Sequence, residues 1–450
     1  MTTAVEHRDH LFTLDPRRTY PVLASANGVW VTDVAGNRYL DAIAGIAVVN
    51  AGYGRDEVVD AMAAQARRLP FAVSNIFATE PAERLAARIA AMAPGDLGWV
   101  HFTSGGSEAV EVALKLARQV HVEHGEPDRS VFISRWTSYH GATLGTLSVG
   151  GARMRRRKYE PLLLDVPHIS PPYCYRCTAG GDHGGCGERY AAELERAILD
   201  AGPGRVAAFI AEPVIASVGG AISPPDDYWP LIREICDRYG VLLIVDEVVT
   251  GFGRTGTPFA IDRWGVVPDL LAMGKGISGG YAPLGAVAVR DPLREAFRRS
   301  GSSFEHIFTF GGNPVSMAAG LAVLDIVDRE GLIGRAATME PAFRAALDPL
   351  WAYPWVGDIR IRGLMAGIEL VRDRETKEPF ESTDGVAVKL REAGLRNGIV
   401  VYPGTGMADG ARGDIISLYP PLTITDEELG ELSRRLVATF AAVGPTLPAR

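Results

Sequence analysis

Val241-Leu242-Leu243-Ile244-Val245-Asp246-Glu247 is a run of five apolar residues, three of them β-branched, that stops on two acids. A stretch this short and this continuously apolar fits a strand covered on both faces, the position of strands inside a parallel sheet. The carboxyl end of such a strand opens on the crevice where these sheets bind ligands, which places Asp246 where a carboxylate can meet a bound group. An aspartate there also commonly caps the next turn, so on its own the position leaves both roles open.

Similar runs lie on either side of it, at residues 131–134, 207–211, 270–273 and 286–289, separated by amphipathic segments of ten or more residues. This alternation, extending from about residue 98 to 320, predicts an α/β domain with a mostly parallel central sheet covered by helices. Beyond Gly320 the pattern changes to long helices around a few strands, including 365–371 and 415–418, which predicts a smaller α+β domain. Near the start, Gly28-Val29-Trp30-Val31-Thr32-Asp33 and Gly36-Asn37-Arg38-Tyr39-Leu40 read as a hairpin, and helical spacing takes over from Val58. The expected organisation is an N-terminal segment, 1–60, packing with the small domain, a large domain at 61–320, and a C-terminal small domain at 321–450, so that both termini build the smaller unit.

Two further pieces belong beside Asp246. Thr103-Ser104-Gly105-Gly106-Ser107-Glu108 is a glycine-rich turn before a helix whose apolar residues Val110, Ala113, Leu114, Ala117 and Val120 recur at helical spacing. Free amides at such a helix start suit a phosphate dianion, although the same residues also make an ordinary cap. Leu270-Leu271-Ala272-Met273-Gly274-Lys275-Gly276 delivers a lysine between glycines at another strand end. Desolvation lowers a lysine pKa and makes its amine a nucleophile for carbonyl carbon.

Two motif matches are decoys. Gly251, Gly253 and Gly256 satisfy a dinucleotide fingerprint with Asp269 downstream, but Thr257-Pro258-Phe259 follows instead of the helix on which a pyrophosphate would sit. Gly276-Ile277-Ser278-Gly279-Gly280 matches a nucleophile elbow, yet Tyr281-Ala282-Pro283 cannot open the helix that elbow needs.

Composition narrows the classes. With 450 residues, 47% hydrophobic and 22% charged, the chain has the balance of a globular enzyme with a sizeable interior. A net charge of −8 argues against a nucleic-acid partner. The basic run Arg153, Arg155, Arg156, Arg157 and Lys158 is read as a solvated face and given no function. No apolar run approaches bilayer length, and the polar opening Met1 to His10 does not resemble a signal peptide, so no membrane partner and a cytoplasmic location are expected. Cys174, Cys177 and Cys186 with His183 could chemically hold structural zinc, but a reduced loop is preferred and no metal is assigned; Cys236, in a predicted helix, is read as core.

Together these pieces resemble the class III aminotransferases, the ω-aminotransferase group of fold-type I pyridoxal-phosphate enzymes. The likeness runs from Gly36-Asn37-Arg38-Tyr39-Leu40-Asp41 to Pro420-Pro421-Leu422-Thr423-Ile424-Thr425. Its most specific part is Asp246-Glu247-Val248-Val249-Thr250-Gly251-Phe252-Gly253-Arg254-Thr255-Gly256, followed by Pro268-Asp269 and Gly274-Lys275-Gly276. The resemblance implies pyridoxal 5′-phosphate as cofactor, held as a Schiff base by Lys275, which then shuttles a proton between substrate and cofactor carbons. Asp246 matches the carboxylate paired with the pyridine nitrogen. Tyr139 is expected to stack on one ring face, Val248 to cover the other, and His140 and Glu212 to lie among the cofactor contacts, with a structural role open for Glu212. Gly105, Gly106 and Ser107 match the phosphate loop, and Thr309, in Phe308-Thr309-Phe310-Gly311-Gly312, resembles the threonine that reaches the phosphate from a neighbouring subunit. A homodimer with shared sites is implied, a tetramer remaining open.

The implied reaction is a ping-pong transfer from an amine or ω-amino acid donor to a keto acid, with pyruvate expected because Ser217 stands where glutamate-linked relatives carry a gating glutamate. Tyr402 stands where several relatives carry a carboxylate-binding arginine. Arg412, in the inserted loop nearby, is a candidate substitute, with a plain surface role equally open, and Ala47 falls where some relatives place a bulky tryptophan. A decarboxylase of dialkylglycine type or an amino-acid racemase on the same scaffold is the alternative. A silent ligand-binding relative is expected to lack Lys275 or Asp246, and both are present.

Overall fold

The computed structural model describes residues 10–177 and 185–448. At the N-terminus β1 (Leu23–Asn27), β2 (Trp30–Asp33) and β3 (Arg38–Asp41) form an antiparallel ribbon. The expected hairpin is β2–β3, with Trp30 opposite Leu40 and Thr32 opposite Arg38. Asp33 fastens its turn by accepting the amides of Ala35 and Asn37 and the hydroxyl of Tyr39.

The central sheet has seven strands: β4 (Trp99–Thr103), β5 (Val131–Arg135), β6 (His168–Ile169), β7 (Val206–Ala211), β8 (Leu242–Asp246), β9 (Leu270–Met273) and β10 (Gly285–Val289), in the spatial order β4-β10-β9-β8-β7-β5-β6. From β6 across to β9 every pairing is parallel, and β10 runs antiparallel to both of its neighbours. Period-two geometry sends alternate side chains to opposite faces. Phe209, Leu243, Val245, Leu271 and Met273 join one apolar cluster with the helices Glu80–Met92, Cys186–Ala201 and Tyr228–Tyr239. Ala208, Ile210, Ile244, Leu270 and Ala272 join the other, under the helix Gly106–Glu123. Both faces are therefore dry, which is why these strands read as unbroken apolar runs.

The last third holds β11 (Val356–Arg362), β12 (Met365–Asp373), β13 (Glu378–Pro379), β14 (Ile399–Val400), β15 (Tyr402–Thr405) and β16 (Asp414–Leu418). β11, β12, β16 and β15 form an antiparallel sheet with β13 at the side of β12. β14 instead runs parallel to β3, Ile399 opposite Leu40, and Val29 and Leu40 share a core with Leu364, Ile416, Leu418 and Leu436. The helix Pro314–Arg329 ties this core to that of the central sheet, burying Ala319, Val323 and Ile326 in the first and Met317, Leu321 and Leu324 in the second. Among the described residues no helix is long and apolar enough to cross a membrane.

Candidate active site

Three parallel strands deliver titratable groups to one crevice, where a nearby loop and a helix start meet them. Asp246 is the last residue of β8 and is buried. Its Oδ1 accepts the Val248 amide at 3.0 Å, and its Oδ2 lies 2.7 Å from Nδ1 of buried His140. A carboxylate can only accept here, so the histidine donates. Glu212, just past β7, accepts the amides of Tyr139 and Ala216, each at 3.0 Å, while its own carbonyl accepts from buried Arg135. It thereby pins the loop after β5, which carries Tyr139 and His140, to the end of β7; burial pushes its carboxyl above the usual range.

Lys275 follows β9 after Gly274 and holds φ +46°, a left-handed conformation that costs a non-glycine residue on the order of 1–2 kcal/mol. Desolvation lowers its pKa to about 8, against the pull of Asp246 and Glu212 and with the help of Arg155 and Arg254. An amine so placed is deprotonated far more often at neutral pH than a solvated lysine.

The helix Gly106–Glu123 starts beside them. Its N-cap, Gly105, offers no side chain to the first-turn amides, and a Cβ on Gly105 would meet nothing within 4 Å. On the inner side space is short: a Cβ on Gly106 would lie 2.7 Å from Val248 Cγ1, and one on Gly274 would lie 3.3 Å from the Gly106 nitrogen. Ser107 Oγ accepts the Ala142 amide at 3.2 Å, joining this turn to the Tyr139 loop. Gly105, Gly106, Ser107, Val248, Asp246, Lys275, Tyr139, His140 and Glu212 are thus brought together. The uncapped amides suit an anion, Asp246 suits a protonated nitrogen, and Lys275 suits an electrophilic carbon. A flat, phosphate-bearing heteroaromatic aldehyde fits this donor set.

The substrate-side candidates separate. Tyr402 opens β15 and accepts a hydrogen bond from Arg155 Nη2 at 2.9 Å, and the same guanidinium stands 4.5 Å over the Tyr139 ring. The basic run is therefore only in part a solvated face: Arg156 is buried and donates to the carbonyls of Leu147, Ser148 and Gly150. Ala47 is buried in one apolar cluster with Val249, Val214 and Tyr419, at the end of a left-handed turn in which Ala44, Gly45, Ile46 and Ala47 have φ of 45°, 59°, 69° and 59°. Asp41 holds that turn through the amides of Ile43 and Gly45 and the hydroxyl of Tyr53. Arg412 is not brought to the others: its guanidinium is occupied by Asp409, Glu378 and Glu381. Thr309 is exposed on the surface of the chain. Ser217 is buried and lines a cavity of about 420 Å³ that Arg155 also borders.

Gly253 and Gly256 form turns with φ of 93° and 94°, and Ser278 is buried with its hydroxyl on the Ala282 carbonyl, so neither motif match presents a site. Cys236 is buried in the helix Tyr228–Tyr239. Cys177 and Cys186 bring their sulfurs to 3.8 Å, His183 lies outside the described residues, and among those described no cluster is suited to a metal ion. Arg155 and Arg135 are the residues that sequence reasoning missed. Their charges gave no sign of the aromatic and carbonyl partners that hold them.

A family profile described as Aminotransferase class-III matches residues 15–440. The putrescine–pyruvate aminotransferase of Pseudomonas aeruginosa is 40% identical over 91% of this chain and 88% of that one. Among solved structures, an (S)-enantioselective omega-transaminase from Thermomicrobium roseum superposes with a TM-score of 0.91 at 39% identity, covering 96% of each chain. The omega-transaminase of Pseudomonas jessenii in complex with PMP gives 0.89 at 32% identity, covering 96% of this chain and 98% of that one.

Proposed function

Because the chain belongs to the class III aminotransferases, we propose that it binds pyridoxal phosphate at Lys275 and carries an amino group from an amine or ω-amino acid donor to a keto acid, pyruvate foremost, in two half-reactions of ping-pong type. The observation that carries this reading is the convergence of Lys275, its pKa lowered to about 8, with the His140–Asp246 pair and the uncapped helix start at Gly105–Gly106. Bound in this crevice, the cofactor supplies a carbonyl carbon that takes up nitrogen and a protonated ring that accepts electrons.

The chain's own residues then have separable tasks. The amides of Gly106 and Ser107 hold the phosphate at the positive end of their helix. Asp246 keeps a proton on the ring nitrogen, and His140 with the Val248 amide fixes the carboxylate that does so. Tyr139 and Val248 hold the ring from its two faces. Glu212 positions Tyr139 through its amide. With the cofactor bound, the Lys275 amine would carry a proton between the donor's carbon and the cofactor carbon on the far side of the shared nitrogen; a pKa near the working pH suits a group that must both accept and give. Pyruvate as acceptor is supported by the relative named for putrescine and pyruvate and by Ser217 in the gating position. A homodimer in which Thr309 completes the neighbouring phosphate site is supported by its exposure beside the apolar side chains Ile307 and Phe310.

The test is the absorbance spectrum of protein reconstituted with pyridoxal phosphate, beside Lys275→Ala. The expected result is a lysine-dependent visible band that amine donors bleach and pyruvate restores. No lysine-dependent band would refute the cofactor assignment, and release of carbon dioxide with the band unchanged would move the chemistry to decarboxylation.

A further inference from the structure

The cavity of about 420 Å³ beside the crevice is bounded by residues 151–155, 217–218 and 403–410 together with Trp136, Tyr173 and Arg176. Four arginines border it, and they are not equivalent. Arg176 is bound to Glu369 at 2.6 Å. Arg189 directs a guanidinium nitrogen to the Cys177 sulfur at 3.9 Å. Arg153 and Arg155 make no ion pair among the described residues: Arg153 lies 3.6 Å over the Trp136 ring, and Arg155 lies over Tyr139 with its hydrogen bond to Tyr402. Of the two acids in the wall, Asp409 is paired with Arg412, and Glu193, which accepts the Ser170 amide, is outnumbered by the arginines. The cavity is therefore positively charged, and Arg155 stands at its junction with the crevice, close enough for its charge to help lower the Lys275 pKa.

We propose that Arg155, with the Tyr402 hydroxyl beside it, is the carboxylate-recognition residue of this enzyme, and that the donor is an ω-amino acid whose amine meets Lys275 while its distal carboxylate is received at Arg155. The inference rests on the aminotransferase reading above and names its substrate class. A guanidinium stacked on one aromatic ring and bonded to another is held in place with most of its five donors still unused, the condition for a bidentate carboxylate contact. Arg412 cannot serve instead, because three carboxylates already occupy it. The charge of Arg153 and Arg155 works against a diamine, whose second ammonium would face both guanidinium groups.

The experiment is the donor half-reaction of the reconstituted enzyme, read as bleaching of the cofactor band. It compares ω-amino acids of two to six carbons between the functional groups, terminal diamines of matching length and a neutral alkylamine. The wild type is expected to favour the ω-amino acid over the diamine of equal length. In Arg155→Met the ratio of ω-amino acid to neutral-amine efficiency falls about tenfold to hundredfold, the worth of a hydrogen bond between charged groups. Arg155→Lys restores part of it, Arg155→Glu moves preference toward the diamine, and Arg157→Met, in the same run but outside the cavity, leaves the ratio as it was. A wild type that prefers diamines overturns the proposal. So does an Arg155→Met enzyme that loses both donors equally, which would make Arg155 a prop for Tyr139. A protein whose band no donor bleaches fails at the aminotransferase reading itself.

Discussion

His140 and Asp246, 106 residues apart in the chain, meet at 2.7 Å with both side chains buried. The contact holds the carboxylate in one orientation and leaves its charge facing the crevice. Asp246→Asn keeps the shape and removes the charge. It should slow the donor half-reaction by about 10²- to 10³-fold, as loss of a preorganised electrostatic group does. His140→Ala leaves the Val248 amide in place and should cost roughly tenfold. Stopped-flow bleaching of the cofactor band measures both, and an Asp246→Asn enzyme of near-normal rate would remove that residue from the chemistry.

Lys275 should report its lowered pKa in the pH dependence of cofactor uptake by the apoenzyme. With a pKa of about 8, roughly a tenth of the amine is neutral at pH 7. Uptake should therefore rise close to tenfold per pH unit below 8 and level off above it. The stability effect has a definite sign. The folded pKa lies below the ordinary lysine value of 10.5, so between the two the unfolded chain binds more protons and the apoenzyme gains stability as pH rises. Lys275→Met should lose both effects. Uptake that continues to rise steeply to pH 10 would mean that the amine is solvated.

Gly106 and Val248 can be tested as a pair. A Cβ at Gly106 would sit 2.7 Å from Val248 Cγ1, so Gly106→Ala must push apart the helix start and the residue proposed to cover the ring. Overpacking of this kind costs about 1–3 kcal/mol, and cofactor affinity measured by titration should fall by about tenfold to hundredfold. Val248→Ala in the Gly106→Ala background should recover part of the loss. If it makes binding worse by its full separate effect, the two residues do not touch through this contact.

The central strands could be read in advance because parallel strands with two dry faces have no choice but continuous apolar side chains, as in β7, β8 and β9. β11 could not. Asp358 and Arg360 break its pattern, and their place in a strand depends on tertiary partners: Arg360 pairs with both Asp358 and Glu369. β15, Tyr402-Pro403-Gly404-Thr405, has the composition of a turn and becomes a strand only by pairing with β16. The same limit governs the site. The chemistry of Asp246 and Lys275 follows from charge at the end of an apolar run, a local signal. Arg155 and Arg412 look alike in sequence, both arginines in polar segments. Arg155 is held by Tyr402, 247 residues away, whereas Arg412 is held by Glu378 and Glu381, 34 and 31 residues away.

The proposed dimer makes a prediction about a surface that a single chain leaves open. Phe310 is 61% exposed, and Ile76 and Phe77 are 68% and 63% exposed. The two segments adjoin: Phe71 meets Phe310 edge to face with ring centroids 6.1 Å apart, and Asn313 donates to the Pro70 carbonyl. Apolar side chains gathered in this way mark an interaction surface. Thr309 sits among them, so a partner docked here would carry the threonine with it. Phe310→Asp places a charge in the interface and should convert dimer to monomer in size-exclusion chromatography with light scattering, with loss of cofactor affinity in parallel. Thr309→Ala should leave the dimer intact and weaken cofactor binding by about tenfold, the worth of one hydrogen bond to a charged phosphate. A Phe310→Asp protein that remains dimeric would place the interface elsewhere. A Thr309→Ala protein that binds the cofactor normally would remove the threonine from the shared site even if the dimer forms here.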